Sequence, residues 1–236
     1  MNLQTYYQQA NDSLQFTREK ASHFAKDIAG DFNPIHDVEA RRFCVPGDLL
    51  FAVLLEQHGL FRNMEIEFAG MVTEQSTVLT NKSPGMIRFI DTQDADFIIA
   101  RHDEQSCGDK AFVNELSQAY VNFSGQTFPH ILVPMMREHD VMINPARPIV
   151  MYRRMSLSLD ACGGDNISLA YTGAQFEANG KKGEASLFFD IKAGEDTIGT
   201  GMKNMLLSGL RPFEQKAIDD VIAEYDGWKS KWQNTD

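Results

Sequence analysis

The sequence predicts an α+β protein, and three observations carry that prediction. Leu49 to Leu55 form a run that is apolar on every side, the pattern of a helix buried on most faces. Short β-like runs broken by turn residues occupy residues 65–101 and 150–207. Asn179-Gly180 joins two of the later runs and is a hairpin signal, so the strands are expected to pair antiparallel.

The first helix starts after Thr17, a residue type whose side chain caps free amides, with Phe16 before it as a hydrophobic staple. Ala21, Phe24, Ala25 and Ile28 share one face, and Gly30 is the natural stop. Asp31 to His36 then form a loop broken by Pro34. The apolar helix runs from about Asp48 to His58 and stops at Gly59. His58, at its C-terminus, is read as a cation favoured by the helix dipole.

β-like runs follow at 65–72, 76–80, 86–91 and 97–101. The stretch 111–123 stays open: Phe112, Leu116 and Ala119 suit a helix, whereas the end of the stretch suits a strand. Residues 124–148 carry four prolines and a short apolar segment, read as a linker with a short buried helix. β-like runs return at 150–159, 167–176, 185–192 and 197–207. Pro212 opens a last helix with Phe213, Ala217, Val221, Tyr225, Trp228 and Trp232 along one stripe.

Composition narrows the function. The 236 residues hold 22 Lys plus Arg against 33 Asp plus Glu, a net charge of −11. That excess argues against a broad phosphate-backbone surface, so no nucleic acid is expected. No apolar run reaches the roughly 18 residues that span a membrane. The stretch MNLQTYYQQANDS has no signal-peptide pattern, so a cytoplasmic location is expected. Cys44, Cys107 and Cys162 show no metal-ligand spacing and read as reduced structural thiols, with no metal expected. The chain contains no Ser nucleophile elbow and no phosphate-binding Walker loop.

Asp31 and His36 bracket a tight loop in which Asn33-Pro34 favours a turn. A turn of this kind can bring a carboxylate and an imidazole to one small volume, where they can move the protons of a water. The string from Ala29 to His36, with Ala40, Arg41 and Phe43 after it, resembles the signature of MaoC-like (R)-specific enoyl-CoA hydratases over about residues 16–60. It is also similar to an uncharacterised bacterial branch of the same hot-dog superfamily. The resemblance implies a hot-dog fold, in which an antiparallel sheet wraps a long central helix. A single hot-dog needs about 130–150 residues on that resemblance, so a double hot-dog is expected. Residues 1–125 would form the N-terminal half carrying the motif, and 126–236 a degenerate second half with a terminal helix. A single elaborated hot-dog that forms a homodimer is the structural alternative.

By the same resemblance Asp31 and His36 are the catalytic pair, Asn33 supports the site, and the Gly47 amide supports a developing enolate oxygen. The implied activity is a hydro-lyase: water is added to, or removed from, an enoyl or 3-hydroxyacyl thioester. No cofactor is expected beyond the carrier, coenzyme A or acyl carrier protein. Arg41, Arg42 and Lys82 are the candidate contacts to its phosphates. The chain departs from the hydratase pattern at Pro46, which replaces a histidine before the glycine, and at Asp48, which follows it. Asp48 either N-caps the helix or turns inward. Leu54-Leu55 stand where the family often has a hydroxyl. A non-catalytic acyl-thioester- or lipid-binding protein and an acyl thioesterase are the alternative functions on the same fold.

Overall fold

A computed structural model describes residues 1–234. The first helix, α1 (Arg18–His23), begins as its cap predicts, with the Thr17 side chain accepting from the Lys20 amide. It continues as wider, π-type turns over Phe24–Ala29 and ends at Gly30, whose left-handed φ of 67° turns the chain sharply. The central helix α2 (Gly47–His58) buries every residue from Asp48 to Leu55, which is why it carries no polar face. The open stretch resolves as helix α3 (Lys110–Gly125), N-capped by Asp109, whose side chain accepts from the Phe112 amide. Phe112, Leu116 and Tyr120 repeat every fourth residue, and burying that face against α2 decides for helix. Helices α4 (Leu132–Glu138) and α5 (Gln215–Gln233) complete the set.

The strands of the large sheet are β1 (Gln8–Ala10), β2 (Ser13–Gln15), β3 (Asn63–Phe68), β4 (Val78–Ser83), β5 (Met86–Ile90) and β6 (Asp96–His102) in the first part of the chain. A two-residue strand, β7 (Val141–Met142), comes next; then β8 (Ile149–Leu159), β9 (Ile167–Asn179), β10 (Lys182–Ala193) and β11 (Asp196–Ser208) return to the large sheet. The ten strands run β1-β2-β4-β5-β6-β3-β8-β11-β10-β9, and every pairing is antiparallel. The β3–β8 ladder, from Asn63↔Ser158 to Glu67↔Arg154, joins the two parts of the chain into one sheet. Strand β7 pairs instead with β12 (Arg211–Pro212).

This is an α+β protein of the hot-dog type. Inward residues of the sheet, among them Ile66, Phe89, Ile98, Met155 and Phe189, share one core with α2 and α3. Phe51 of α2 meets Tyr120 of α3 edge to face at 4.7 Å. A second core gathers α4, β7 and Ile218 of α5 against β10 and β11.

Three expectations need correction. Cys107 and Cys162 form a disulfide rather than two free thiols, tying the approach to α3 to the loop after β8; Cys44 alone is free. Pro212 lies in β12, and α5 begins at Gln215: the proline finishes a strand instead of opening the helix. Neither ring nitrogen of His58 has a hydrogen-bond partner, and both are buried. Burial, with Lys82 adding to it, pushes His58 down to about 4, so it is neutral at the helix end and not a cation there. Among the described residues no helix is long and apolar enough to cross a membrane.

Candidate functional site

The loop after Gly30 is built by local hydrogen bonds. The Asp31 amide reaches back to the Ala25 carbonyl at 2.8 Å, closing the wide last turn. Asp31 Oδ1 accepts the Asn33 amide at 2.9 Å, and Asn33 Oδ1 accepts the Ile35 amide at 3.3 Å. Asn33 thereby caps the single turn Pro34–His36, for which Pro34 supplies the fixed φ. Asn33 therefore shapes the loop from within.

Cys44 grips the other side. Its amide donates to the Ile35 carbonyl at 3.0 Å, and its own carbonyl lies 2.7 Å from His36 Nδ1. A carbonyl oxygen only accepts, so Nδ1 carries a hydrogen and Nε2 is the nitrogen left for a second partner. That nitrogen stands 3.7 Å from Asp31 Oδ2. His36 is only 7% exposed, while the Asp31 side chain is 31% exposed. Arg18 secures the neighbouring segment by donating to the Val38 and Ala40 carbonyls and to Glu74.

Both side chains line a cavity of about 700 Å³. Its walls are largely apolar, with Leu50, Phe68, Met71, Leu132, Met205 and Trp228 among them. Gly47 also lines it, as the first residue of α2, where the helix has no internal acceptor for its amide and the dipole favours negative charge. A Cβ at Gly47 would sit 3.1 Å from the Tyr152 ring and 3.3 Å from Phe68, so the absent side chain is what lets the aromatic wall close on the helix.

Asp48 turns inward and does not cap α2; the cap position is Pro46. Its Oδ2 accepts from Ser124 Oγ at 2.6 Å, and its Oδ1 has no partner. Ser124 Oγ also accepts from Lys203 Nζ at 2.6 Å and lies 3.1 Å from the Tyr152 hydroxyl, which in turn meets the Tyr120 hydroxyl. Lys203 Nζ stands 4.3 Å from the centre of the Tyr152 ring. Burial raises the Asp48 carboxyl above its ordinary range, opposed by Lys203 and the Ser124 hydrogen bond. Burial also lowers the Lys203 ammonium, opposed by Asp48 and Asp31. The Cys44 thiol beside the pair is pushed up to about 11 by burial, so it is no thiolate nucleophile.

The structure thus brings Asp31, Asn33, His36 and Gly47 to one cavity. Arg41 and Arg42 lie exposed in the turn between His36 and α2, outside the cavity wall. Lys82 is not brought there: it is exposed on β4 and acts electrostatically on His58, at the opposite end of α2 from Gly47. Ser124, Tyr152 and Lys203 escaped sequence reasoning. The available signal was Lys203 itself, a lone cation in an otherwise apolar strand end; its cross-strand partners, Leu187 and Met155, are both core residues.

The fold and the cavity define a hot-dog protein with a carboxylate–imidazole pair at the N-terminal end of its central helix. The chain belongs to the family described as "Protein of unknown function (DUF3581)", whose family model matches residues 1–216. No curated protein matches the sequence. Among solved structures it is similar to a MaoC-like dehydratase, at 10% identity over 87% of this chain and 99% of that one, with a TM-score of 0.42. It is similar also to an acyl-CoA thioesterase II from Mycobacterium marinum (10% identity, 91% and 99% covered, TM-score 0.43). A third is an acyl-ACP thioesterase from Bacteroides thetaiotaomicron (11% identity, 69% and 90% covered, TM-score 0.34).

Proposed function

We propose that the protein is an (R)-specific enoyl-thioester hydratase, or in reverse a 3-hydroxyacyl-thioester dehydratase, working through Asp31 and His36. One observation carries this reading: Nε2 of a histidine whose Nδ1 is fixed by the Cys44 carbonyl faces a carboxylate oxygen at 3.7 Å on the wall of a largely apolar cavity. A water between the two groups meets two acceptors and is held for attack. The pair takes one proton as the water oxygen bonds to C3 of the enoyl group. It returns that proton to C2 as the enolate collapses. Asp31 balances the imidazolium between the two steps, and the Gly47 amide meets the enolate oxygen. The substrate is carried on coenzyme A or acyl carrier protein, with Arg41 and Arg42 the candidates for its phosphates. The division into two hot-dog halves at 125/126 belongs to the same proposal.

A second reading, acyl-thioester binding without turnover, is favoured by Asp48: a carboxylate buried next to Gly47 opposes negative charge at the helix N-terminus. One assay separates the readings. Purified protein is given crotonyl-CoA while loss of the enoyl absorbance and release of free thiol are followed together. Hydration without thiol release is expected, falling by about 10² or more in Asp31→Asn and in His36→Ala. Full activity in either variant overturns the assigned roles. Thiol release instead identifies a thioesterase, and binding without either signal identifies a carrier.

A further inference from the structure

Lys203 is 4% exposed, yet it forms part of the cavity wall. Its ammonium has three hydrogens to donate. One goes to Ser124 Oγ at 2.6 Å, and the Tyr152 ring lies 4.3 Å away. Among the described residues no carboxylate stands within 4 Å of Nζ; Asp48 and Asp31 attract it electrostatically, but neither takes a hydrogen from it. A buried charge without a direct counter-ion is costly, and breaking or leaving open such a pair is strongly destabilising. Ser124 gives its own hydrogen to Asp48, so it can accept from Lys203, and among the described residues no second oxygen accepts from the ammonium. Beyond Ser124 and the Tyr152 ring, the ammonium has donor capacity left for an oxygen placed in the cavity.

The reacting pair shares this cavity, and Asp31 is close enough to act electrostatically on both Lys203 and Asp48. We propose that Lys203 is the anchor for a carboxylate carried on the acyl group of the ligand, so that the cavity takes short acyl thioesters bearing a second, free carboxylate in preference to plain hydrocarbon chains. This rests on reading the cavity as an acyl-thioester site. A hydrocarbon chain would pack against Leu50, Phe68 and Met205 but would offer the ammonium no oxygen beyond that of Ser124. A site built to bond a polar group rejects the analogue that lacks it far more strongly than an apolar pocket rejects an extra methylene.

The test is binding, which needs no turnover. Saturated coenzyme A thioesters of four to six carbons, ending either in a methyl group or in a carboxylate, are titrated calorimetrically into the wild-type protein. The carboxylate member of each pair is expected to bind about tenfold tighter or more. In Lys203→Met that preference disappears or reverses, with thermal melting checking that the variant is folded. Equal binding within each pair by the wild type overturns the proposal and needs no variant. A preference that survives in Lys203→Met also overturns it. If the carboxylate preference holds while no enoyl thioester is hydrated, the hydratase reading falls and the Lys203 subsite stands.

Discussion

The Tyr225 hydroxyl donates to the Gly30 carbonyl at 3.2 Å and accepts the Phe32 amide at 3.3 Å. One side chain of α5 therefore closes over both residues that flank Asp31. Phe32 and Phe128 pack edge-on against the same ring. The terminal helix is thus part of the site: it fixes the backbone on which the carboxylate rides, and Tyr225 and Trp228 form cavity wall.

Tyr225→Phe keeps the ring and removes the clamp. Burial pushes this hydroxyl up to about 12, so it stays a neutral donor across the working pH range. One buried and one part-buried hydrogen bond are lost and the Phe32 amide is left without its acceptor, a cost of about 1–2 kcal/mol. Urea denaturation reads this as a lower midpoint at unchanged slope. An unchanged midpoint means that the clamp contributes nothing.

His58 sets an acid limit. Its folded value, about 4, lies below the ordinary 6.5 of an unfolded chain. Between those values the unfolded state binds the proton and the folded state does not, so stability falls as pH drops from 6.5 towards 4 and levels off below it. His58→Leu removes that contribution. The gap between wild-type and variant urea midpoints is expected to widen in the variant's favour from pH 7 to pH 4.5. A gap that stays constant over that interval shows that His58 is not the group responsible.

The elements that form locally were legible in the sequence. Thr17 caps α1, Gly30 ends its continuation, and the all-apolar run is the central helix, because capping and full burial leave their mark within a few residues. The Asp31–His36 loop was legible for the same reason: its hydrogen bonds span two or three positions. What escaped depends on distant partners. Asp48 turns inward because Ser124 waits 76 positions away, and Lys203 joins them across 79 more. The same holds for Cys107 and Cys162, 55 positions apart, whose pairing needs the β8–β9 loop to reach the start of α3. Pro212 was misread because a strand partner, Val141, outweighs a proline's preference for a helix start.

Two glycines predict opposite outcomes for the same substitution. A Cβ on Gly125, the last residue of α3, would collide with the Ala29 carbonyl oxygen, so backbone would have to move. Gly125→Ala is expected to cost about 1–3 kcal/mol or more, as overpacking does, and to disturb the turn that delivers Asp31. Gly227 lies inside α5 with nothing within 4 Å of the added atom. Gly227→Ala should gain about 0.5–1 kcal/mol from helix propensity alone. Thermal melting of the two variants checks both signs, and a neutral Gly125→Ala would show that α3 does not pack on the Ala29 turn.

The disulfide makes a prediction that separates it from three free thiols. With Cys107 and Cys162 paired, only Cys44 should react with a thiol reagent in denaturant, and all three after reduction. The bond closes a loop of 55 positions containing α3, so its loss acts mainly by releasing the unfolded chain. Reduction, or the double change Cys107→Ala with Cys162→Ala, should lower stability by about 2–4 kcal/mol. The effect should centre on α3 and so reach Ser124 at its end, which holds Asp48 and Lys203 together. Hydrogen exchange would then show faster opening of residues 110–125 in the reduced protein, with α2 less affected because its apolar residues are buried on every side. Three reactive thiols in the unreduced, denatured protein would remove the bond and with it the predicted difference between the two helices.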